Sequence, residues 1–525
     1  MLQPRRTCYI APRYRCTRRY ASNKIAVIGG GIAGLSAAYF LQKQLPAAHI
    51  TLFETAKEAG GWVKSKSLDA STGGNVVFEE GPRSLRPVGL PGLSALDLVR
   101  QLELEDKLIL VPKSSPSAKN RFIYYKGKVH KLPSSLVGFL KFAMTNPILK
   151  GSLGSLMLEP FRKRRPASLQ DESIGSFISR RFSPIMANNM LSAVVHGIYS
   201  GSVDALSVKS TFGALWKYEG QAGSVVAGIL RGTETLSPFD QQLYAKLKLE
   251  NTEMAEKLKD TSVYSFQGGL MTMTNRLQTL LKESGRVNVE QGAPVRRLEV
   301  HGDTVSVTQG GQTISFDKVV SAVNAKQLSS ILHGTMETTE LDAVEYSTVM
   351  VINLYYKDPA ILPIDGFGYL IPKSVPLEDN PDRALGVVFD SASVPGQDSA
   401  LGTKVTCIMG GHWWKGLDPS ALPTPEQGLE RTKRVMQGHL GVTQEPALWN
   451  AKLQHDCIPQ YTVGHAARMK KLDERLAGFG GKLGVIGSSY GGVSVNDCIL
   501  NARKVADAIV AGQDVTGLEA FREAD

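Results

Sequence analysis

Gly29, Gly31 and Gly34 stand at Gly-x-Gly-x-x-Gly spacing, and a carboxylate, Glu54, lies beyond them. Residues of these types at this spacing do one job well, which is to hold a dinucleotide. Gly29 permits a tight turn, Gly31 lets backbone approach a pyrophosphate, and Gly34 lets a helix pack against a strand. Gly30, Ile32 and Ala33 complete the loop, and Glu54 can accept hydrogen bonds from ribose hydroxyls. The elements that must position these groups are legible around them. Lys24–Ile28 is a short apolar run that reads as a buried parallel strand. Leu35 to Leu45 reads as a helix with Ile32, Leu35 and Tyr39 on one face, and Ile50–Glu54 as a second strand. The pyrophosphate would rest on the helix N-terminus, where free N–H groups and the dipole favour an anion. Alone, this unit leaves FAD and NAD both open.

The residues just beyond this unit favour FAD. Gly60 and Gly61 form a second glycine pair, with Trp62 next to it, a short way past the ribose-binding acid. Flavin enzymes related to amine oxidases use a Gly-Gly there, where the chain passes close to the pyrophosphate. Glu79 to Arg83 offers another tight turn. Far along the chain, Leu483–Gly487 reads as a strand, and Asn496 and Asp497 read as N-caps of a helix continuing past Ala508. The N-terminus of that helix would face the flavin pyrimidine ring and stabilise negative charge on it.

Bulk properties exclude several classes. The chain has 525 residues, 42% of them apolar and 21% charged, room for two or three domains. The net charge is +11, but residues 1–22 hold six arginines and no acid. This leader resembles a mitochondrial presequence. Without it, 54 basic face 49 acidic side chains, a net +5 that does not argue for nucleic acid. The five cysteines show no metal-ligand spacing, so no metal site is expected. No segment reads as a membrane span; Phe182 to Val203 reads as a buried helix. Leu132 to Phe161 is apolar in blocks and ends in Arg162, Lys163, Arg164 and Arg165. That pattern suits a surface resting on a membrane, and it equally suits an ordinary amphipathic helix pair.

The expected fold class is α/β: a discontinuous Rossmann-type FAD-binding domain, a mixed-sheet substrate domain and a helical membrane-associating domain. The boundaries are 1–22 for the presequence, 23–104, 241–325 and 476–525 for the FAD-binding domain, 105–240 for the helical domain, and 326–475 for the substrate domain. Val287–Val289, Val295–Val300, Thr304–Thr308 and Val319–Ala322 read as successive strands of a β-meander. Thr348–Tyr356, Ala384–Phe389 and Lys404–Met409 read as strands of the substrate domain.

A set of motifs spread over residues 24–510 resembles the oxygen-dependent protoporphyrinogen oxidases. They are residues 29–34, Gly-Gly-Trp at 60–62, Gly-Pro-Arg at 81–83, Asn-Arg-Phe at 120–122, Gly-Phe-Gly-Tyr-Leu at 366–370, Cys-Ile-Pro-Gln-Tyr-Thr-Val-Gly-His at 457–465, and Val-Asn-Asp-Cys-Ile at 495–499. The resemblance implies six-electron oxidation of protoporphyrinogen IX to protoporphyrin IX, the penultimate step of haem synthesis. Each of three rounds would send a hydride to non-covalent FAD, and O2 would reoxidise it to give hydrogen peroxide. It implies monotopic attachment to the mitochondrial inner membrane on the intermembrane-space side. It leaves room for a homodimer and for a contact with ferrochelatase, the next enzyme of the pathway. The flavin contacts it carries over are the loop 29–34, Glu54, Trp62, Gly81, Pro82, Arg83, Ser84, Val295, Ser488, Val493, Ser494 and Val495. The substrate contacts are Phe367, Gly368, Leu370, Ile408 and Ile458.

Two positions depart from the family pattern. The arginine that pairs with a substrate propionate, placed several residues before Asn-Arg-Phe, falls on Pro112, leaving Lys113 as the expected stand-in, a point charge without the arginine fork. Ser84 replaces a common glycine, which requires that its φ not be positive. No acid–base residue is assigned: aromatisation drives the chemistry, and His412, His455 and His465 read as structural. The rival readings are a flavin amine or polyamine oxidase, which would want carboxylates or an aromatic cage in its pocket, a carotenoid-desaturase-like enzyme, and a non-enzymatic flavin-bound membrane scaffold.

Overall fold

A computed structural model describes residues 24–70, 73–233 and 236–522; the leader at 1–22 lies outside the described residues. Its centre is a five-stranded parallel sheet in the spatial order Leu483–Val485, Lys318–Ser321, Lys24–Ile28, His49–Glu54 and Val287–Gln291. Ile25 to Ile28 are all buried, as a strand covered on both faces must be. On one face the helices Ile32–Gln44, Met271–Glu283 and Val495–Val510 bury Leu35, Leu277 and Ile499 in one core. On the other face lies a second core with Leu298, Val307, Leu332 and Leu472.

The meander on that second face differs from the expected one. It consists of Val295–His301, Thr304–Gln309 and Gln312–Phe316. Val287–Gln291 and Lys318–Ser321 belong instead to the parallel sheet, with Val287 opposite Ile50 and Lys318 opposite Ile25. The third meander strand escapes the sequence pattern because all of it but Phe316 is exposed.

The second large sheet has seven strands, in the order Leu448–Gln460, Glu345–Tyr356, Thr403–Gly410, Ala384–Phe389, Gly368–Leu370, Phe122–Tyr125 and Lys128–Lys131. The last two come from the segment expected to be mostly helical, as does Leu108–Pro112, which pairs with Thr261–Phe266. Tyr369 opposite Phe122 is a parallel register, so the Asn-Arg-Phe and Gly-Phe-Gly motifs are direct neighbours. The mixed sheet is a sound expectation; the strands inside 105–240 are a correction to it.

The helical layer packs against this sheet. Residues 184–199 run as Pro184–Met186, a π-turn over Ala187–Leu191, and Ser192–Tyr199, with Ala193 and Val195 buried. A buried ion network stabilises the layer. Arg181 pairs with Glu159, Arg165 lies 3.0 Å from Glu219, and Arg180 reaches Glu219 at 2.6 Å and Glu172 at 2.5 Å. Two of the four basic residues at 162–165 are therefore turned inward: Arg165 toward Glu219 and the Trp216 ring, and Arg162 toward the Arg180 carbonyl at 2.7 Å. Among the described residues no helix is long and apolar enough to cross a membrane.

Candidate functional site

The glycine loop sits at the carboxyl ends of the parallel strands, where open α/β sheets bind ligands. A Cβ on Gly34 would lie 1.8 Å from the Gly29 carbonyl oxygen, so the helix can approach the strand only through glycine there. A Cβ on Gly31 would meet nothing closer than the Gly61 Cα at 3.8 Å, which leaves that side of the loop free for a ligand. The helix starting at Ile32 has no side-chain cap and no acid in its first turn, so no side chain of its own offsets its dipole or takes its first N–H groups. Gly60 donates to the Gly30 carbonyl at 2.8 Å, which brings the second glycine pair across the first. The Glu54 carboxylate is held from two sides, by Gly30 N–H at 2.7 Å and Ala56 N–H at 2.7 Å, with lone pairs left for a ribose. Ala293 N–H donates to the Glu54 carbonyl at 2.9 Å, which brings the chain leading into Val295 against the end of the Glu54 strand. An uncapped helix, a bare glycine turn and an anchored acid fit the ADP half of FAD.

A second wall stands beside this cradle. Gly81 approaches Trp62 so closely that a Cβ on it would lie 2.2 Å from the Trp62 carbonyl oxygen, while the Trp62 side chain is 43% exposed. Pro82 and Arg83 continue the turn. Arg83 pairs with Asp390 at 2.8 Å, and Asp390 accepts from the Thr406 hydroxyl at 2.5 Å, tying the turn to the large sheet. Ser84 has no positive φ, so serine is at ease where the family pattern has glycine. Gly487 touches the glycine loop, since a Cβ on it would lie 3.8 Å from the Ala33 Cβ, and Ser488 is its direct neighbour in the chain.

The helix after this loop is Val495–Val510, and its cap is Ser494, not Asn496 or Asp497. The Ser494 hydroxyl accepts from Asp497 N–H at 3.1 Å, and the Asp497 carboxylate reaches back to Ser494 N–H at 3.2 Å. Burial pushes the Asp497 carboxyl up, against the pull of its hydrogen bonds to Ser494. Asn496 donates to the Arg86 carbonyl at 2.9 Å, and Val495 packs on the nucleotide-side core.

Of the residues expected to contact substrate, sheet register brings Leu370 and Ile408 into one row. Leu370 stands opposite Gly386, Gly386 opposite Ile408, and Ile408 opposite Val351, so one row of side chains shares a face. Gly386 leaves a notch into which Leu370 leans: a Cβ there would lie 3.0 Å from a Leu370 methyl. Leu370 and Val493 pack against one helical cluster with Ile123 and Tyr199, which joins the strand Gly368–Leu370 to the loop before Val495. Gly368 has φ +128 and no room for a Cβ, which would sit 2.1 Å from the Val387 carbonyl oxygen. Ile458 is half-buried opposite Ser347 on the edge strand, and its neighbour Cys457 packs in the Ile408 cluster.

Two placements are not legible in the sequence. Lys113 is exposed and donates to the Lys259 carbonyl at 2.5 Å, on the separate two-stranded sheet. It is Arg121 that lies over the Phe367 ring, 4.2 Å from its centroid. Among the described residues Arg121 has no carboxylate partner. Burial, and then the Arg86 charge, push its guanidinium down from the usual value. The signal is present in Asn-Arg-Phe, but only the register opposite Tyr369 gives the arginine its place. His412 and His465 take internal partners, while His455 is exposed. His196 and His412 share a hydrogen bond at 2.8 Å, and burial holds them neutral, down to about 4 and about 3. His465 lies 2.8 Å from the Tyr490 carbonyl.

Residues 32–510 match the family described as flavin containing amine oxidoreductase. The protoporphyrinogen oxidase of Schizosaccharomyces pombe is 40% identical over 493 residues, covering 92% of this chain and 97% of the relative. The protoporphyrinogen oxidase of Homo sapiens is 33% identical over 493 residues, covering 93% and 98%. Among solved structures, a chain from Exiguobacterium sp. 255-15 that carries the provisional name protoporphyrinogen oxidase matches with a TM-score of 0.74 at 21% identity, covering 94% of this chain and 100% of that one. An FAD-dependent oxidoreductase by its cradle and by its relatives, this chain belongs to the protoporphyrinogen oxidase family within the flavin-containing amine oxidoreductases.

Proposed function

We propose that the protein oxidises protoporphyrinogen IX to protoporphyrin IX, with dioxygen as the final acceptor. The observation that carries this is an apolar sheet row, Val351, Ile408, Gly386 and Leu370, with the unpaired guanidinium of Arg121 near its end. A flat tetrapyrrole with propionate edges needs apolar faces and a cation at the rim. An amine substrate would need acids or an aromatic cage, and that row holds no acid. Bound FAD supplies the hydride acceptor and the route to peroxide. The residues of this chain bind and orient: Leu370, Ile408 and Ile458 take the macrocycle, Phe367 and Gly368 shape its edge, and Arg121 takes a propionate. Positioning of the reacting carbon is worth more here than an acid–base group; His412 is hydrogen-bonded to His196 and His465 Nε2 to the Tyr490 carbonyl.

The flavin contacts in this reading are residues 29–34, Glu54, Trp62, residues 81–84, Val295, Ser488 and residues 493–495. Membrane attachment is supported by an exposed apolar face. Val137 is 78% exposed, Met157 67% and Phe161 85%, and the solvent-facing Lys163 and Arg164 lie beside them. Leu230 adds to this face from the helix Val225–Leu230, whose first N–H groups bind Glu159. An inner mitochondrial membrane fits such a face together with the arginine-rich leader.

The test is purified protein with FAD, protoporphyrinogen IX and air. Porphyrin fluorescence should rise well above autoxidation with hydrogen peroxide formed alongside. No rise, with turnover of spermine or benzylamine in its place, would remove this function.

A further inference from the structure

Residues 457–465 touch every layer of the molecule. Toward the helical layer, the Tyr461 carbonyl accepts from Ser207 N–H at 2.8 Å, and Gly464 N–H donates to Asp171 Oδ2 at 2.7 Å. Toward the large sheet, Gln460 lies opposite Glu345, and its amide donates to the Tyr199 carbonyl at 2.9 Å and reaches the Ser347 hydroxyl at 3.4 Å. Toward the nucleotide side, the block meets the loop between the last parallel strand and the helix at Val495.

That loop has little structure of its own. Gly487 has φ +106 and Gly492 φ +152, conformations that favour glycine, and a Cβ on Gly492 would lie 2.4 Å from the Asp497 Cβ. Two side chains of the block span it. The Tyr461 hydroxyl donates to the Ser488 carbonyl and accepts from Gly492 N–H at 2.9 Å. His465 Nε2 lies 2.8 Å from the Tyr490 carbonyl, and the Tyr461 and His465 rings stack with centroids 4.2 Å apart. A phenol has one proton to give, and this one is given to the loop while the same oxygen accepts from it. Tyr461 is almost completely enclosed, so water cannot replace it at either partner.

We propose that Tyr461 is a positioning residue for the flavin. Its hydroxyl fixes the distance between Ser488 and Gly492, and its carbonyl ties that distance to the helical layer at Ser207. The inference rests on the proposed flavin contacts of Ser488 and residues 493–495. Through this residue, backbone on one side and hydroxyl on the other, a displacement of the helical layer is passed to the flavin loop.

Tyr461→Phe keeps the ring and its stack on His465 and removes only the hydroxyl. The Kd for FAD should rise about 10-fold on titration of the apoprotein, as expected for losing a hydrogen bond or two. At saturating FAD, the visible circular dichroism of the bound flavin should change. The anaerobic rate of flavin reduction should fall while KM stays constant. If only the melting temperature falls, with dichroism and reduction rate as in the wild type, Tyr461 is merely structural and the proposal is overturned.

His465→Ala frees the Tyr490 carbonyl of the same loop and should move the same signals. No change there counts against the clamp even if Tyr461→Phe does not fold. Val493→Ala separates the two levels. If it leaves the flavin dichroism unchanged, the loop does not line the flavin and the underlying reading fails. If it shifts the dichroism while Tyr461→Phe does not, only the role of Tyr461 fails.

Discussion

At the nucleotide end of the site, backbone faces backbone: Gly60 N–H meets the Gly30 carbonyl, Gly34 lies on Gly29, and Gly81 lies on the Trp62 carbonyl. At the proposed substrate end, side chains would meet the ligand from a sheet whose own backbone is engaged in the ladder, and the row from Val351 to Leu370 is set by strand register. On the proposed function one end would hold the ADP half of FAD and the other a flat tetrapyrrole, and the two ends fail differently. Where backbone is the contact surface, a single methyl group is an obstruction. Where side chains are the surface, volume can be exchanged among neighbours at a cost of order 1 kcal/mol.

The contrast breaks most sharply at two glycines three positions apart. Gly34→Val should prevent accumulation of folded holoprotein, because its Cβ would sit 1.8 Å from the Gly29 carbonyl oxygen, a rigid backbone atom. Gly31→Ala should leave the melting temperature of the apoprotein nearly unchanged, since its Cβ meets only the Gly61 Cα at 3.8 Å, yet it should weaken FAD severely. Thermal melts with and without FAD check both. Equal loss of apoprotein stability in the two variants would show that Gly31, too, is a packing glycine.

The same contrast explains what is legible in the sequence. The nucleotide unit can be read because its strand, loop, helix and acid are contiguous, and spacing fixes geometry. Even there the helix begins at Ile32, inside the loop, and not at Leu35. The distal helix is legible too, but its cap is Ser494, because Asn496 and Asp497 both resemble caps and only the reciprocal bond to Asp497 decides. The strands at 108–112 and 122–131 escape a local reading because their partners, Thr261–Phe266 and Gly368–Leu370, lie far along the chain. The strand Gln312–Phe316 is short and exposed apart from Phe316, with only Ile314 and Phe316 to mark an alternation. Arg121 is hidden for the same reason as the pocket row: its meaning depends on Phe367, which local sequence cannot place beside it.

Glu79 sits on the seam between the two ends. Its carboxylate accepts from the Ser65 hydroxyl at 2.6 Å and Leu270 N–H at 2.9 Å on one side, and lies 3.4 Å from the Gln397 amide on the other. Burial pushes it up to about 7, outweighing those hydrogen bonds and the charges of Arg83 and Lys404. The folded state thus holds this proton more tightly than the unfolded chain does. The stabilisation is full below the unfolded value near 4.5 and is lost as pH rises through about 7. The loss is on the order of 3 kcal/mol. His196 and His412 act oppositely, since their depressed values cost stability as pH falls below about 6.5. The measurement is therefore the difference between wild type and Glu79→Gln across pH 5 to 8. The wild type should lose melting temperature relative to the variant as pH rises, and parallel curves would mean that Glu79 ionises normally.

The smallest expected effect tests the side-chain end directly. Arg121 lies over Phe367 with no acid partner among the described residues, whereas Lys113 is already satisfied by the Lys259 carbonyl. A propionate bound by Arg121 would replace water at a partly desolvated guanidinium, and charge-assisted bonds of this kind contribute about 1.5–3 kcal/mol. Arg121→Gln should raise KM for the porphyrinogen by roughly 10-fold or somewhat more, with FAD affinity unchanged. Lys113→Ala should leave both constants where they are. Because Arg121 is held against an aromatic ring, Arg121→Lys should recover little of the loss: an ammonium has neither the planar face for Phe367 nor the fork for a carboxylate. Full recovery by lysine would mean that charge alone suffices at this edge, and that the side-chain wall is less specific than its register implies.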